Sequence, residues 1–197
     1  MKNYIKDQIK KSYETKQAIY ENEALLQKIE TVATLCVKLY KESDKKTILA
    51  GNGGSAADAQ HIAAELVGRY GFDRPSIPSL ALTTDTSNLT AIGNDYGYDQ
   101  VFSRQLEGMG QEGDIFFGIS TSGNSQNIIN AFESAKKKGI TTVALVGRDG
   151  GKMGAMADYA LVVPSNSTPR IQESHILIGH IICDIIEKEV FGDGVGA

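Results

Sequence analysis

The residues best suited to chemistry are a run of small hydroxyl side chains that follows an apolar stretch. Residues 115–119 read Ile-Phe-Phe-Gly-Ile, and the hydroxyl residues that come after them are Ser120, Thr121, Ser122 and Ser125. At the carboxyl end of a strand in an open α/β sheet, the N–H groups that begin the next helix favour an anion. The four hydroxyls are therefore candidate donors to a phosphate group. An ordinary polar turn, with Ser125 as a helix N-cap, would satisfy the same sequence.

A second turn of small residues lies earlier in the chain. Residues 47–50 form a short apolar run, and residues 51–55 read Gly-Asn-Gly-Gly-Ser before a helix-forming stretch. Glycines allow positive φ angles and close approach to a ligand, so two such turns side by side could hold both ends of a phosphorylated small molecule. No lysine follows the glycines as in phosphate-loop ATPases, and the third glycine of the dinucleotide-binding pattern is missing.

Acid–base or metal-binding side chains occur on two helix-forming stretches. His61 and Glu65 are four residues apart, so they project from one helix face, as an ion pair, a metal pair or a solvated surface pair. His180 lies in the apolar run at 176–183, where we expect it to be buried. It could be bonded to a backbone carbonyl or tuned for proton transfer near neutral pH. We expect His175 to lie on the surface, on a different face and outside the site.

Strands and helices alternate from Thr47 onward, which is typical of an α/β fold with a doubly wound parallel sheet. The predicted strands are 47–51, 79–83, 115–119, 141–146 and 159–163. The predicted helices are 56–69, 87–93, 99–109, 125–138, 151–156 and 170–190. Gly139 after a helix and Pro164 after the last strand agree with these boundaries.

The first 43 residues have helical periodicity that is interrupted near Asn22. An apolar seam, which could pack on its own domain or against another copy, comprises Leu25, Ile29, Val32, Cys36 and Leu39. A second stripe on the preceding segment comprises Ile5, Ile9 and Tyr13. One small domain does not readily cover both, so we expect a symmetric subunit interface here. The chain then divides into amino-terminal helices at 1–43 and an α/β domain at 44–197, together one structural unit.

The composition argues against several classes of protein. Among 197 residues, 24 are acidic and 20 basic, with no basic block, so we expect no nucleic-acid partner. No apolar run is long enough to span a bilayer and the amino terminus is polar, so we expect a cytoplasmic protein with no membrane partner. Cys36 and Cys183 lie in apolar helical patterns, and we expect buried thiols rather than a disulfide or a metal pair.

Together, the motifs resemble those of the phosphoheptose isomerases, also called sedoheptulose 7-phosphate isomerases. The similarity extends to about Glu189 and rests, in order, on residues 51–55, 58–61 with Glu65, 68–70, 93–95, 118–125, 149–152 and 170–173. It implies the sugar isomerase (SIS) fold, a five-stranded parallel sheet flanked by helices, and a homotetramer. It also implies conversion of D-sedoheptulose 7-phosphate to D-glycero-D-manno-heptose 7-phosphate, the first step toward the heptose of bacterial surface polysaccharides.

The resemblance further implies roles for individual residues. The phosphate group would contact Ser120, Thr121, Ser122 and Ser125, with Asn52, Gly53, Gly54 and Ser55 on the other side of the substrate. Other substrate contacts would come from Glu65, Arg69, Asn94, Asp95 and Gln172. Proton transfer would fall to Glu65 and His180, and one zinc ion per subunit to His61, Glu65, Gln172 and His180. Some relatives have an acidic residue where this chain has Pro169, so a sugar contact there is not carried over.

These residue types suit the implied reaction. Interconverting a ketose and an aldose moves a proton between adjacent carbons through an enediol, which requires a base near C1 and C2 and a proton donor near the oxygens. Glu65 as base and His180 as acid can supply both, and desolvation makes a carboxylate a better base. Zinc could polarise the carbonyl, but a ligated carboxylate is a weaker base, so the two roles of Glu65 compete.

Helix geometry separates two of the implied zinc ligands. Gln172 and His180 are eight residues apart, which is about 12 Å along a regular helix and about 80° around it. One ion cannot easily join them. Either Gln172 precedes the regular part of the helix, or a neighbouring subunit supplies one ligand. We therefore expect the active site to lie at a subunit interface.

Two other classes of function remain open. A non-catalytic binding protein of the same fold, like the relatives that associate with the bacterial replication initiator, would need neither Glu65 nor His180. The presence of both residues favours an enzyme. A sugar-phosphate sensor, or an isomerase of hexose or pentose phosphates, would have the same phosphate turns, because specificity depends on the shape of the pocket.

Overall fold

Five parallel strands form the sheet of the computed structural model, which describes residues 1–192. The strands are β1 (Thr47–Gly51), β2 (Ser79–Ala81), β3 (Ile115–Ser120), β4 (Thr141–Gly147) and β5 (Tyr159–Val163). Their order across the sheet is β2-β1-β3-β4-β5, and every neighbouring pair is parallel. The predicted doubly wound, five-stranded sheet is confirmed.

Eight α-helices flank the sheet within the described residues. They are α1 (Lys2–Tyr20), α2 (Glu23–Glu42), α3 (Gly54–Val67), α4 (Thr86–Tyr96), α5 (Val101–Met109), α6 (Gln126–Lys137), α7 (Gly151–Met156) and α8 (Thr168–Phe191). The predicted break near Asn22 is confirmed, because the Asn22 side chain accepts a hydrogen bond from the N–H of Leu25 and caps α2. No helix in residues 1–192 has both the length and the apolar character that a bilayer span requires.

Side chains alternate along the strands, so each face of the sheet has its own core. On one face, residues such as Leu49 and Phe117 pack with α2, α3 and α8. On the other face, Ile48 and Phe116 pack with α5, α6 and α7. Because helices cover both faces, the central strands are apolar almost throughout.

The two turns with candidate chemistry meet at the centre of the sheet. Strands β1 and β3 are neighbours, and the chain continues from β1 to one edge of the sheet and from β3 to the other. In open α/β sheets, ligands bind outside the carboxyl ends of the strands at this reversal of strand order. The glycine turn follows β1 and the hydroxyl turn follows β3, so the fold places them side by side.

The apolar seam of α2 is covered by its own chain. All five of its residues are buried, and α2 packs against the long helix α8. The expectation that this seam contributes to a subunit interface is therefore wrong. The stripe on α1 differs, because Ile5, Ile9 and Tyr13 remain 52%, 60% and 55% exposed in the single chain.

Two expectations about the histidines of α8 are also wrong. His175 is completely buried, and its Nε2 lies 3.1 Å from the carbonyl oxygen of Val146 at the end of β4. His180 is only half-buried. Apolar residues surround α8 almost completely in sequence, so they do not reveal which side faces the sheet. Ile181, next to His180, is 40% exposed, which shows that the apolar run at 176–183 extends beyond the buried face.

Cys36 and Cys183 are buried free thiols, as predicted. They lie on α2 and α8, on the same face of the sheet. Burial raises the pKa of the Cys183 thiol to about 12 and raises the pKa of Cys36 further. Neither sulfur is a thiolate at neutral pH, so neither is suited to act as a nucleophile.

The buried imidazole of His175 makes stability depend on pH. Burial lowers its pKa from 6.5 to about 4, although the hydrogen bond to Val146 opposes this. Between these values the unfolded chain binds a proton and the folded chain does not, so stability falls as the pH drops from about 6.5 toward 4. The loss amounts to about 3 kcal/mol if the whole shift is realised.

Denaturant unfolding at a series of pH values, at one protein concentration, measures this effect. The variant His175→Gln lacks the titrating group, so its free energy of unfolding is expected to fall less between pH 6.5 and 4 than that of the parent. Equal slopes in the two proteins would contradict the assignment.

Candidate active site

Three serine hydroxyls converge in the turn between β3 and α6. The Oγ of Ser120 lies 2.9 Å from the Oγ of Ser125 and 3.4 Å from the Oγ of Ser122. Ser125 is the N-cap residue of α6, but its side chain makes no capping hydrogen bond. The simple capping interpretation therefore fails to explain Ser125. The first N–H groups of α6 complete a set of donors suited to an anion. Thr121 is half-buried in the same turn.

The loop between β4 and α7 fixes the shape of this phosphate turn. Gly123 has a φ of 65°, and a Cβ atom at this position would lie 2.0 Å from the carbonyl oxygen of Gly150. The N–H of Met153 donates to the Gly123 carbonyl at 2.9 Å, and the N–H of Lys152 donates to the Asn124 side chain at 3.1 Å. Only glycine combines this φ with so close an approach.

A pair of side-chain amides joins the glycine turn to α6. Asn52 and Asn127 each donate to the amide oxygen of the other at 2.9 Å, and the hydroxyl of Tyr98 donates to Asn52 Oδ1 at 3.0 Å. The two turns are thus held at a fixed separation. The sequence analysis found Asn52 but not Asn127 or Tyr98, because their contacts join distant parts of the chain and have no local pattern.

The glycine turn also contacts α8. A Cβ atom at Gly54 would lie 2.0 Å from Nε2 of Gln172, so the Gln172 amide rests against the first residue of α3. Gln172 lies inside the regular helix α8, and the alternative that it precedes this helix is therefore wrong. Of its neighbours, Gly53 has a φ of 57° and is exposed, and Ser55 is buried.

His61, Glu65 and His180 form a compact cluster between α3 and α8. The Nε2 of His61 lies 3.0 Å from Oε1 of Glu65 and 3.0 Å from Nε2 of His180. One ligand atom from each residue lies within 4.8 Å of the other two. The His61 side chain is 51% exposed and that of Glu65 23%, so the cluster is accessible to a ligand.

The donor set of this cluster fits zinc. A ring nitrogen carries either one proton or one lone pair, so Nε2 of His61 cannot make a good hydrogen bond to both neighbours. A cation in contact with all three side chains resolves this conflict. Ligand atoms at about 2.0–2.1 Å from a tetrahedral zinc lie about 3.3 Å apart, close to the separations found here, and two histidines with one glutamate leave a fourth position open.

The cluster exists because α3 and α8 run side by side in the same direction. Gly54 faces Gln172 near the start of α8, and Ile62 faces Gly179 two turns further along. A Cβ atom at Gly179 would lie 2.6 Å from Cδ1 of Ile62, so glycine allows the closest approach next to His180. The same geometry leaves Gln172 beside the glycine turn and away from the three-residue cluster.

Two further groups border the cluster. The carboxyl of Asp58, one turn before His61 on α3, has a buried Oδ2 without a hydrogen-bond partner among the described residues. Burial raises the pKa of Asp58 to about 6, and the charge of His61 acts in the opposite direction. The ring of Tyr70 lies 5.8 Å from the ring of His180, between centroids. The sequence analysis assigned neither residue a role.

The remaining predicted site residues lie apart from the cluster. Asn94 and Asp95 are exposed on α4, where the Asn94 amide donates to the Asp95 carboxylate at 2.8 Å. No hydrogen bond in residues 1–192 joins either side chain to the two turns. Arg69 is exposed just after the end of α3. Pro169 lies in the first turn of α8, where its missing N–H costs nothing.

Comparison with known proteins agrees with this geometry. The family model of the SIS domain matches residues 9–147. The sequence is 86% identical over 195 residues to the phosphoheptose isomerase of Sulfurimonas denitrificans, covering 99% of this chain and 100% of the relative. The chain belongs to the phosphoheptose isomerase family. A second member, from Aneurinibacillus thermoaerophilus, is 61% identical and covers 97% of this chain and 96% of its own length.

Solved structures of the phosphoheptose isomerase family have the same fold. The enzyme from Neisseria gonorrhoeae superposes with a TM-score of 0.89 at 45% identity, covering 95% of this chain and 98% of that one. The enzyme from Francisella tularensis gives a TM-score of 0.90 at 36% identity, with 94% and 97% covered. The family resemblance and the fold it implied are confirmed.

A methyl group at Gly179 tests the dependence of the site on close helix packing. The variant Gly179→Ala places a Cβ against Ile62, so it is expected to widen the gap between His61 and His180. A misplacement of about 1 Å lowers catalytic rates on the order of 100-fold. The measurement is turnover of a ketose phosphate by the purified protein.

A second substitution provides the control. Adding Ile62→Ala to Gly179→Ala removes the side chain that the new methyl group meets, so activity is expected to recover in part. Ile62→Ala alone measures the cost of the cavity. If Gly179→Ala is as active as the parent protein, the close approach of α3 and α8 is not required.

Proposed function

We propose that this protein converts D-sedoheptulose 7-phosphate to D-glycero-D-manno-heptose 7-phosphate, as a phosphoheptose isomerase in bacterial surface heptose synthesis. The observation that carries the proposal is the meeting of a carboxylate, two imidazoles and a phosphate turn at one edge of the sheet. A binding protein of this fold has no need of the Glu65–His180 arrangement. The high identity to phosphoheptose isomerases along the whole chain supports the same reaction.

In this proposal, the phosphate turn binds the anionic end of the sugar. Ser120, Ser122 and Ser125 donate to the phosphate oxygens together with N–H groups at the start of α6. Asn52 and the glycines of the neighbouring turn line the sugar chain. Because the Asn127 pair fixes Asn52, the substrate is held between two rigid turns, which directs its carbonyl end toward Glu65 and His180.

Proton transfer then requires only two side chains. Glu65 removes the proton from the carbon next to the carbonyl, which gives an enediol, and returns it to the neighbouring carbon. His180 donates a proton to the carbonyl oxygen and accepts one from the neighbouring hydroxyl. The exchange interconverts ketose and aldose without an external reductant.

We further propose that His61, Glu65 and His180 hold one zinc ion per subunit. Zinc bound there would polarise the substrate carbonyl and stabilise negative charge on its oxygen. The crowded Nε2 of His61, which faces two partners at 3.0 Å, supports a cation at this position. Gln172 contributes only if it turns away from Gly54 or if its counterpart in another subunit reaches the ion.

We also propose a cytoplasmic homotetramer. The exposed apolar stripe of Ile5, Ile9 and Tyr13 on α1 supports self-association, and the two free thiols are typical of a reducing compartment. Sedimentation velocity at several concentrations measures the oligomeric state directly.

The variant Glu65→Gln tests the proposed base. An amide cannot accept the substrate proton, so we expect the rate of isomerisation to fall by about 10²- to 10⁴-fold, which is the usual contribution of a general base. In D₂O, incorporation of deuterium at C1 or C2 of the substrate should fall by the same factor. Glu133→Gln, on the exposed face of α6, is the control and should exchange normally. Undiminished exchange in Glu65→Gln would refute the role of Glu65.

Removal of the metal tests the zinc proposal. Dialysis against a chelator should reduce activity, and zinc added back should restore it at one ion per subunit. His61→Ala removes a ligand without removing the proposed acid or base, so its zinc content should be low after the same preparation. A chelated protein with full activity and no bound metal would show that zinc plays no part in the reaction.

A further inference from the structure

An arginine outside the predicted site is buried at the end of α3. The side chain of Arg74 is only 2% exposed. Its Nη2 donates to the carbonyl oxygen of Glu65 at 2.8 Å, and its Nη1 donates to the carbonyl oxygens of Leu66 at 2.7 Å and Gly68 at 3.1 Å. The guanidinium thus satisfies the last carbonyls of the helix that carries Glu65.

The partner of Arg74 lies on the helix that carries His180. Nε of Arg74 donates to Oε1 of Glu187 at 3.0 Å, and the Glu187 side chain is 1% exposed. Glu187 lies two turns after His180 on α8. It also accepts hydrogen bonds from the N–H groups of Tyr70, at 2.9 Å, and Gly71.

The pair therefore controls three parts of the cluster. Arg74 holds the backbone of Glu65 itself, Glu187 is rigidly connected to His180 through α8, and the bonds to residues 70 and 71 fix the loop from which the Tyr70 ring faces His180. Burial raises the pKa of Glu187, but the N–H groups of Gly71 and Tyr70 and the Arg74 guanidinium outweigh it. The pKa therefore lies below its ordinary value, and the pair is charged.

We propose that Arg74 and Glu187 are positioning residues that set the separation between Glu65 on α3 and His180 on α8. This inference rests on the proposed roles of Glu65 and His180. Neither Arg74 nor Glu187 touches the reacting atoms. A buried ion pair is weak evidence for stability, since apolar residues of similar size often replace one without loss. Its directional hydrogen bonds, however, fix geometry in a way that apolar packing does not.

The chain contains a matched pair far from the site. Asp114, which is fully buried, accepts bonds from the N–H groups of Lys46 at 3.1 Å and Gln111 at 2.9 Å, and from Nζ of Lys46 at 2.8 Å. Like Glu187, it is a buried carboxylate with two backbone donors and one cation. It precedes β3, at the edge of the sheet opposite the active site.

The experiment compares the variants Glu187→Gln and Asp114→Asn. Each amide loses one charge and one acceptor, so both variants are expected to have lower thermal midpoints. Only Glu187→Gln is expected to lower kcat, on the order of 10- to 100-fold as for a small misplacement of reacting groups. Its KM should be unchanged, because the phosphate turn between β3 and α6 does not contact the pair. Such a split indicates loss of an interaction that counts only in the transition state.

Arg74→Lys provides a second route if Glu187→Gln does not fold. Lysine keeps the charge but cannot reach Glu187 and the three helix carbonyls together, so kcat should again fall with KM unchanged. If the variant that folds has the kcat of the parent, or loses no more than Asp114→Asn, the positioning proposal is overturned.

The variant Glu65→Gln, measured in the same assay, separates this proposal from the proposed function. If Glu65→Gln remains fully active, the proposed catalytic pair is wrong, and the positioning proposal fails with it. If Glu65→Gln is inactive while Glu187→Gln keeps its kcat, only the positioning proposal is wrong.

Discussion

The arrangement of the site depends on the close, side-by-side packing of α3 against α8. These helices begin 114 residues apart in sequence, at Gly54 and Thr168, yet each supplies part of one cluster. Gly179 lets their backbones approach near His61 and His180, and the buried pair of Arg74 and Glu187 joins their distal parts. Without this contact, two histidines and a glutamate would be separate surface groups with no common ligand.

The second requirement is that the sugar end and the phosphate end of the substrate have fixed positions relative to each other. The parallel sheet provides this because β1 and β3 are neighbours at the reversal of strand order. The turn after β1 continues into α3, which carries His61 and Glu65. The turn after β3 carries the serine hydroxyls, and the amide pair of Asn52 and Asn127 connects the two. Anion binding and proton transfer are thus built from adjacent loops of one scaffold.

Much of the fold was predictable from sequence because it follows from local patterns. Apolar runs ending in glycine or serine located the strands and both turns, and Asn22 marked the break between α1 and α2. What failed was the choice between faces of a helix with apolar residues on nearly all sides. On α8 this exchanged the environments of His175 and His180, and on α2 it assigned a core seam to an interface. Composition alone does not tell which neighbour covers an apolar side chain.

The site shows the same division between local and distant signals. His61 and Glu65 were identifiable by their spacing on one helix, and His180 by resemblance to a family. Arg74, Glu187 and Asn127 were not, because their importance comes from partners 31 to 117 residues away or from the ends of helices they touch. The conflict between Gln172 and His180 as ligands of one ion was visible from helix geometry, and the structure retains it.

The most direct test of the account is a crystal structure of the zinc-loaded Glu65→Gln variant with sedoheptulose 7-phosphate. The account predicts the phosphate in contact with Ser120, Ser122 and Ser125, and the carbonyl end of the sugar between residue 65 and His180. A phosphate bound elsewhere, or reacting carbons beyond the reach of both side chains, would contradict it.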